Sequence, residues 1–284
     1  MKLTICRHPI VSVVMVVLNP HPGFFREAVE SILAQTMKEW ELIIVEDPCS
    51  FTARDMVKDY SDPRIRYFLN SHRTSQAEQR NRALHEAQAD LVAVLDADDI
   101  SLPVRLATQV SYLHRHPHVG VVGSQIALIN ATSDIIGHRA YPLDHKAITQ
   151  ALPRMVPFSH SSVMLRKKLA LAEGGYDNNI GPAEDYDLWS RLARKGAVFA
   201  NLPEVLTRYR IHADQMMARA LRAAIKANLL VKNLHWRDQM DVKSRLIMCG
   251  QRLLLYLPQS LVRMAVVHGI YKVRRSNGLI PFFC

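Results

Sequence analysis

Short apolar runs alternate with amphipathic segments along the first half of the chain. Four of the runs predict strands, which span residues 10–18, 41–46, 64–69 and 91–95. The segments between them have apolar residues at helical spacing and predict helices over residues 24–35, 52–60 and 75–88. A further helix is predicted to begin at Pro103. Strands that alternate with helices in this way favour βαβ units and a doubly wound, mainly parallel sheet.

The pattern changes after about residue 120. Shorter apolar runs predict strands over residues 119–123, 126–129, 161–165 and 205–209, and a helix over residues 184–195. No linker-like stretch separates the two halves, so residues 1–218 are expected to pack as one unit. Residues 219–275 predict three helices, two of which carry a clear apolar stripe with arginine and lysine around it.

The composition is that of a globular protein, with 49 % apolar and 22 % charged residues, which excludes a disordered chain, a collagen and a coiled coil. The net charge of +10 lies entirely in residues 219–284, which contain 12 lysines and arginines but only Asp238 and Asp241 as acidic residues. Such a basic amphipathic segment fits an anionic membrane surface. The alternative is that its helices pack on the rest of the chain. Nucleic acid is not an expected partner, because no reader motif is present.

Three features of the sequence bear on the compartment. The four cysteines are scattered, form no CxxC pair and favour a reducing compartment; they are Cys6, Cys49, Cys249 and Cys284. The apolar run over residues 10–18 has no small-residue cleavage site after it, so it predicts a strand and not a signal peptide. No stretch is long and apolar enough to span a bilayer. We therefore expect a cytoplasmic chain, peripheral on the inner face of the membrane if it binds one.

Polar residues follow three of the predicted strands at the points where the strands end. They are Asn19 after the first strand, Asp47 after the second, and Asp96, Asp98 and Asp99 after the fourth. Because ligands bind beyond the carboxyl ends of the strands in such a sheet, these side chains are expected to share one rim. Three carboxylates this close repel one another, and Mg²⁺ or Mn²⁺ relieves the repulsion while also binding substrate phosphates. The alternative is a solvated turn in which Asp99 or Ser101 caps the next helix.

Two carboxylate positions indicate further roles. Asp47 can accept the N3–H of a uracil or thymine ring, or it can be an ordinary turn residue before Pro48. Glu184 and Asp185 begin the helix predicted over residues 184–195, where the helix dipole keeps carboxylates ionised at neutral pH. An ionised carboxylate suits a general base that takes a proton from a hydroxyl group, but it also suits a plain helix start.

Along the chain come, in this order, the segments SILAQT and ELIIVED, AEQRNRAL, LVAVLDADD, HSSVMLRK, AEDYDLW and RYRIH. Their order and spacing resemble glycosyltransferase family 2, a large inverting family. The resemblance covers about residues 10–215. It implies the GT-A fold, a Rossmann-like, mainly parallel α/β sheet flanked by helices, here followed by the basic helical segment 219–284. It also implies that residues 1–218 form the catalytic domain, with a nucleotide-binding half over about 10–120 and an acceptor half over about 121–218.

The activity that the resemblance implies is metal-dependent, inverting transfer of a sugar, of the hexosyltransferase type, from a nucleoside-diphosphate sugar. The donor is expected to be UDP-linked, and the acceptor to be a saccharide or a lipid-linked sugar in polysaccharide or glycolipid synthesis. Asp47 matches the carboxylate that reads the nucleotide base, and Arg80 matches the arginine near it. Asp96 and Asp98 match the DxD motif, which holds the ribose and the Mn²⁺ or Mg²⁺ ion that bridges the diphosphate, and Asp99 extends this motif.

The resemblance assigns the remaining candidates as well. Asp185 matches the catalytic base, and Glu184 beside it is expected at the nucleotide-sugar site. His212 stands where many members have a histidine near the metal, so it is a candidate metal ligand. His160 belongs to a segment near the acceptor and the donor sugar. Asn19 is expected to contact the nucleotide-sugar.

The sequence departs from the family pattern at two strand ends. Pro48 and Cys49 follow Asp47 where the family usually has DDGS, and Leu18 stands where a tyrosine is common. Two other functions compete with the transferase. A sugar-phosphate nucleotidylyltransferase requires a glycine-rich, arginine-bearing loop after the first strand, and NPHPGFF is not such a loop. A degenerate, non-catalytic membrane scaffold predicts that the motif carboxylates Asp96, Asp98 and Asp185 are lost, yet all three are present.

Overall fold

A computed structural model of the chain describes residues 8–49, 52–212 and 220–258, together with Val262. Within these residues the strands are β1 (Val11–Val17), β2 (Trp40–Glu46), β3 (Ile65–Leu69), β4 (Leu91–Val94), β5 (Ile100–Ser101), β6 (Val119–Ile129), β7 (Ile135–Arg139), β8 (Met164–Arg166) and β9 (Val198–Arg210). The helices are α1 (Pro22–Leu33), α2 (Arg54–Lys58), α3 (Gln76–Glu86), α4 (Arg105–Arg115), α5 (His145–Ala151), α6 (Lys167–Ala172), α7 (Glu184–Arg194), α8 (Leu221–His235) and α9 (Val242–Leu254). Short 3₁₀ turns occur at His160–Ser162 and Arg237–Gln239.

The strands form one sheet in the order β3-β2-β1-β4-β8-β6-β9-β5, with β7 paired to β6. The first four strands run parallel to one another, as does the pair β6 and β9. Strand β8 lies antiparallel between β4 and β6 and joins the two halves. This arrangement confirms the expected α/β class, a mainly parallel sheet flanked by helices.

The inner strands β1, β2 and β4 are covered on both faces, which explains why they read as largely apolar runs, whereas the edge strand β3 is only partly buried. Alternate residues of β1 pack on opposite faces of the sheet, because successive side chains of a strand point in opposite directions. Val13 and Met15 belong to a cluster with Phe25 of α1 and Leu106 of α4. Val14 belongs to the opposite cluster, which includes residues of α3 and α7.

The strand β6 differs from the expectation of two strands over residues 119–123 and 126–129. It is continuous over Val119–Ile129 and buried throughout, including the polar residues Ser124 and Gln125. The Gln125 side chain donates to the carbonyls of Tyr141 and Leu202 and accepts from the Tyr141 amide. These hydrogen bonds give the Gln125 side-chain amide its partners inside the protein. The polar residues Ser124 and Gln125 can therefore lie within a buried strand.

Smaller differences concern the ends of elements. Helix α4 begins at Arg105, two residues after the predicted start at Pro103. Helix α2 has only five residues, and β9 extends well before the predicted strand at residues 205–209. Helix α3 begins at a capping box in which Ser75 and Glu78 exchange hydrogen bonds of 3.1 and 3.0 Å.

The first of the predicted C-terminal helices packs on the rest of the chain, which is the alternative left open by the sequence. The Trp236 indole at the end of α8 donates to Ser190 of α7 at 2.9 Å. His235 Nε2 lies 2.7 Å from Asp187 of the same helix. Apart from Pro258 and Val262, the third predicted helix lies outside the described residues. In the part of the chain that the structure describes, no helix is long and apolar enough to cross a membrane.

Candidate active site

The rim at the carboxyl ends of β1, β2 and β4 carries the polar residues expected there. Asn19 follows β1 with a positive φ of 48°. Asp47 follows β2, and Asp96 lies two residues beyond Val94, the last residue of β4. The turn His160–Ser162 lies against this end of β4, since the Asp96 amide donates to Ser161 Oγ at 3.1 Å. The sheet therefore brings the N-terminal motifs and the HSSVM segment to one edge.

Arg80 connects the loop that follows β4 to the start of α7 at this edge of the sheet. Its guanidinium forms an ion pair with Glu184 at the start of α7 and a second one with Asp96, in which the N–O distance is 3.3 Å. Arg80 and Glu184 are both buried, and Arg80 also lies over the ring of Tyr176, 5.7 Å from its centroid. The resemblance matches Arg80 to an arginine near the nucleotide base; in the structure its guanidinium joins the DxD loop to the ED pair.

Asp185 lies next to this ion pair and is partly exposed, in the first turn of α7. Its Oδ1 atom accepts a hydrogen bond of 2.7 Å from the Tyr186 amide. Burial raises the pKa of Asp185 above the usual range, although the nearby charge of Arg80 opposes the shift. A carboxylate with a raised pKa holds a proton more readily, which is the property that a general base near neutral pH needs.

The DxD loop is held by the last strand, β9. The backbone amide of Arg210 donates to Asp99 Oδ1 at 2.8 Å, and the Arg210 Nε atom donates to the carbonyl of Asp98 at 2.8 Å. His212, two residues later, has its Nε2 atom 2.9 Å from Asp98 Oδ2. Asp99 is fully buried; burial and the charges of Asp98 and Asp96 raise its pKa well above the usual value.

The four predicted metal ligands do not form one cluster. Within the described residues, no group of three or more histidine, cysteine or acidic side chains has a geometry that can hold a metal. Asp96 faces Arg80, and Asp99 holds the backbone of Arg210, so only Asp98 and His212 point at each other. Mg²⁺ is commonly held by one or two protein ligands together with substrate phosphates. The donor set of Asp98 and His212 fits such a shared site, although it does not fit a metal held by protein alone.

Asp47 is buried, with only 1 % of its surface exposed. Its Oδ1 atom accepts from Asn70 Nδ2 at 2.6 Å, and its Oδ2 atom accepts from the Thr74 amide at 2.6 Å. The Thr74 hydroxyl lies within hydrogen-bond distance of both oxygens. Asn70 follows β3 and reaches Asp47 because β2 and β3 are neighbours in the sheet. Both carboxylate oxygens of Asp47 thus have partners inside the protein.

His160 is in contact with Tyr176, whose hydroxyl lies 3.0 Å from its Nε2 atom. Its Nδ1 atom is buried and has no hydrogen-bond partner among the described residues. Burial and the nearby positive charge of Arg80 lower the pKa of His160 to about 3. The ring is therefore neutral at physiological pH and can serve as a hydrogen-bonding group.

Sequence reasoning gave no role to two buried arginines near the site. Arg105 donates to the carbonyls of Val94 and Val163, at 2.8 and 3.2 Å, and so ties β4 to the segment before β8. Its full burial lowers its pKa to about 9. Arg210 is also fully buried and forms an ion pair of 2.8 Å with Glu27 of α1. From the sequence alone, Arg105 and Arg210 cannot be told apart from surface arginines, because their partners lie far away along the chain.

Comparison with known proteins shows what the chain is similar to. The family described as "Glycosyl transferase family 2" matches residues 12–175. The chain is 34 % identical to the O-antigen biosynthesis glycosyltransferase WbnJ of Escherichia coli, over 74 % of this chain and 83 % of WbnJ. It is 28 % identical to the UDP-Glc:alpha-D-GlcNAc-diphosphoundecaprenol beta-1,3-glucosyltransferase WfgD of Escherichia coli, over 65 % of this chain and 70 % of WfgD.

Two solved structures share the fold at low sequence identity. TarS 1-349 of S. aureus, in complex with UDP-GlcNAc, has a TM-score of 0.65 and 15 % identity over 93 % of this chain and 76 % of that one. The mannosyltransferase PcManGT from Pyrobaculum calidifontis, in complex with GDP-Man and Mn2+, has a TM-score of 0.61 and 17 % identity. That match covers 96 % of this chain and 77 % of PcManGT.

Proposed function

The chain belongs to glycosyltransferase family 2, and from this premise we propose that it is a metal-dependent, inverting enzyme that uses a UDP-linked sugar as its donor. The acceptor is a saccharide or a lipid-linked sugar in the synthesis of a cell-surface polysaccharide or glycolipid. The observation that carries the proposal is the single edge at which Asp98 faces His212 while Arg80 joins Asp96 to the helix of Asp185. In this proposal Asp98 with His212 would bind the diphosphate through a shared cation, and Asp185 would supply the base at the same edge.

We assign the proton transfer to Asp185. Its carboxylate takes the proton of the acceptor hydroxyl as that oxygen attacks the anomeric carbon, and one displacement inverts the configuration. Arg80 holds Asp96 and Glu184 in place, so the DxD loop and the start of α7 keep their relative position. Asp98 and His212 would hold a Mn²⁺ or Mg²⁺ ion, which supplies Lewis-acid stabilisation of the charge on the leaving diphosphate.

The proposal of a UDP donor has two supports. A structural neighbour holds UDP-GlcNAc, although another holds GDP-Man. Asp47 carries the carboxylate that would accept the N3–H of uracil. It can do so only if a hydrogen bond from Asn70 or Thr74 is exchanged for one from the base, because both oxygens are engaged.

Of these two acceptor classes, we propose the lipid-linked sugar, together with a peripheral position on an anionic membrane. The relative WfgD acts, by its name, on a sugar linked to diphosphoundecaprenol, which is a lipid. In this scheme residues 1–218 are the catalytic domain, with donor residues in about 10–120 and acceptor residues in about 121–218. Residues 219–284 supply the positive charge toward the membrane.

The donor site is tested by titrating the full chain with UDP in a calorimeter, with and without Mn²⁺. We expect binding that requires Mn²⁺ and is weakened by at least about tenfold in Asp98→Ala, because the carboxylate that shares the cation is lost. The matched control is Asp90→Ala, an exposed carboxylate at the opposite end of β4. This control should bind UDP like the wild type.

Two outcomes would contradict this assignment of the donor site. Binding of UDP that is equally strong without Mn²⁺ would refute the shared cation site at Asp98 and His212. Absence of UDP binding under both conditions would refute the UDP donor, and dTDP and GDP would then be titrated in the same way.

A further inference from the structure

The outward face of helix α9 is apolar and uncovered by any described residue. It carries Val242, Leu246, Cys249 and Leu253, and the following turn adds Tyr256. These five side chains recur at spacings of three and four residues, so they form one stripe along the helix, here called the α9 stripe. Val242 is 74 % exposed, Leu246 and Leu253 are each 67 % exposed, and Tyr256 is 87 % exposed. Rows of large apolar side chains in water usually mark a binding surface.

The opposite face of α9 already holds the helix on the protein. Ser244 and Met248 are buried there, and Gln251 accepts a hydrogen bond of 2.9 Å from Lys232 of α8. Arg154 donates to Asp241 at 2.6 Å and to Ser244 at 3.2 Å, which ties the start of α9 to the segment before His160. The α9 stripe therefore takes no part in the packing of this helix, and it has a fixed position relative to the acceptor half.

Basic residues flank the α9 stripe. Arg245 and Arg252 lie beside it on one side and Lys243 on the other, and all three are exposed. The sequence contains no aspartate or glutamate after Asp241. An apolar row between basic side chains is the pattern of helices that lie in the plane of an anionic bilayer, with the apolar row among the acyl chains and the basic groups at the headgroups.

We propose that the α9 stripe is a docking surface for an anionic lipid bilayer. The proposal rests on the proposed function, since a lipid-linked acceptor has to be reached at a membrane surface. A second copy of the chain would bring the same arginines against Arg245 and Arg252, and residues 259–284 are also basic without any acidic residue. Neither of these occupants offers opposite charge, whereas an anionic bilayer offers both negative charge and an apolar layer.

The test is flotation of the full chain with vesicles of phosphatidylcholine alone or of phosphatidylcholine with phosphatidylglycerol. We expect the chain to float with the anionic vesicles only, and less at high salt. The double variant Leu246→Glu/Leu253→Glu should weaken partitioning by at least about tenfold. The double variant Arg245→Gln/Arg252→Gln should weaken it by about thirtyfold, at roughly a fivefold loss for each basic residue.

The control is Ile135→Glu in β7, a side chain that is 52 % exposed outside the C-terminal helices. It should float like the wild type, and unchanged melting temperatures would show that all variants remain folded. Flotation requires no sugar donor, so a chain that binds UDP with Mn²⁺ but stays unbound to anionic vesicles would overturn the docking surface alone. Flotation that survives both double variants, or that is equally strong with neutral vesicles, would overturn it as well.

A probe in the stripe separates a bilayer from a protein occupant. Cys249 is exposed, so an environment-sensitive dye can be attached to it after Cys6→Ser, Cys49→Ser and Cys284→Ser. The proposal predicts emission typical of water in buffer and a blue shift when anionic vesicles are added. Blue-shifted emission already present in buffer would overturn it, because a second copy or the rest of the chain would then cover the stripe. The proposal would also be overturned if an acidic protein caused the blue shift of the dye emission and vesicles did not.

Discussion

Replacing Asp185 by asparagine is expected to reduce sugar transfer by about a hundredfold to ten-thousandfold, the usual contribution of a positioned general base. Asparagine has nearly the same shape but cannot take a proton from the acceptor hydroxyl. The partly exposed Asp185 side chain is not one of the ion-pair partners of Arg80, so the change leaves the buried pair with Glu184 in place. Donor binding should therefore stay within about twofold of the wild type.

The measurement combines turnover of a UDP-sugar with calorimetric titration of UDP on the same protein. Asp144→Asn is the matched control, because Asp144 caps the start of α5 and asparagine caps a helix equally well. It should retain full turnover. If Asp185→Asn also kept full turnover, the assignment of the base would be wrong, and a loss of UDP binding in this variant would indicate a structural role.

The dependence of wild-type turnover on pH should also report the ionisation of Asp185. A base acts only when it is deprotonated, so turnover should fall as the pH decreases through the pKa of Asp185. Burial raises that pKa above the usual aspartate range, against the opposing effect of Arg80. The acid limb of the turnover profile is therefore expected at a higher pH than an ordinary aspartate would give. An acid limb at the usual aspartate value would contradict this role.

The second large effect is expected on stability. Arg80→Met removes the positive charge between Glu184 and Asp96 and leaves the Glu184 carboxylate buried without its partner. Removal of one member of a buried ion pair costs about 3–5 kcal/mol, so the midpoint of urea unfolding should fall clearly. Turnover should fall too, because the DxD loop and the start of α7 lose their connection.

A double variant separates the charge from the packing. In Arg80→Met/Glu184→Leu both charges are gone, and such replacements of buried pairs are often close to neutral for stability. We expect the double variant to recover most of the stability that Arg80→Met loses, without recovering turnover. A double variant whose loss equals the sum of the two single losses would show that the pair is not coupled.

The parts of the site that could be predicted from sequence are those carried by local patterns. The apolar runs that become β1, β2 and β4 end where the structure ends these strands, to within two residues. Parallel strands bring their carboxyl ends to one edge, so the shared rim of Asn19, Asp47 and the DxD loop follows from the pattern alone. The start of α7 at Glu184 was also predictable, because acidic residues precede a regular apolar spacing.

Other features could not be read from local patterns. The four predicted metal ligands were expected to converge, but Arg80 and the Arg210 amide engage Asp96 and Asp99, and only Asp98 meets His212. Arg80 and Glu184 are separated by 104 positions in sequence, and Asp98 and His212 by 114. The buried Arg105 has its partners in the carbonyl of Val94 in β4 and the carbonyl of Val163 just before β8.

The sequence by itself thus determined the fold class, the family and the edge of the sheet at which the chemistry lies, because periodicity and strand ends are local properties of the chain. Only the tertiary structure decided which carboxylate lies beside His212 and which ones pair with arginine. It also decided that α8 packs on α7 while the apolar row of α9 faces outward. These contacts depend on β8, which runs antiparallel to β4, and on the long strand β9, which pairs with β6. Both strands bring distant residues within hydrogen-bond distance. Local spacing contains no information about such pairs, since their energies arise from contacts between segments that are far apart in the chain.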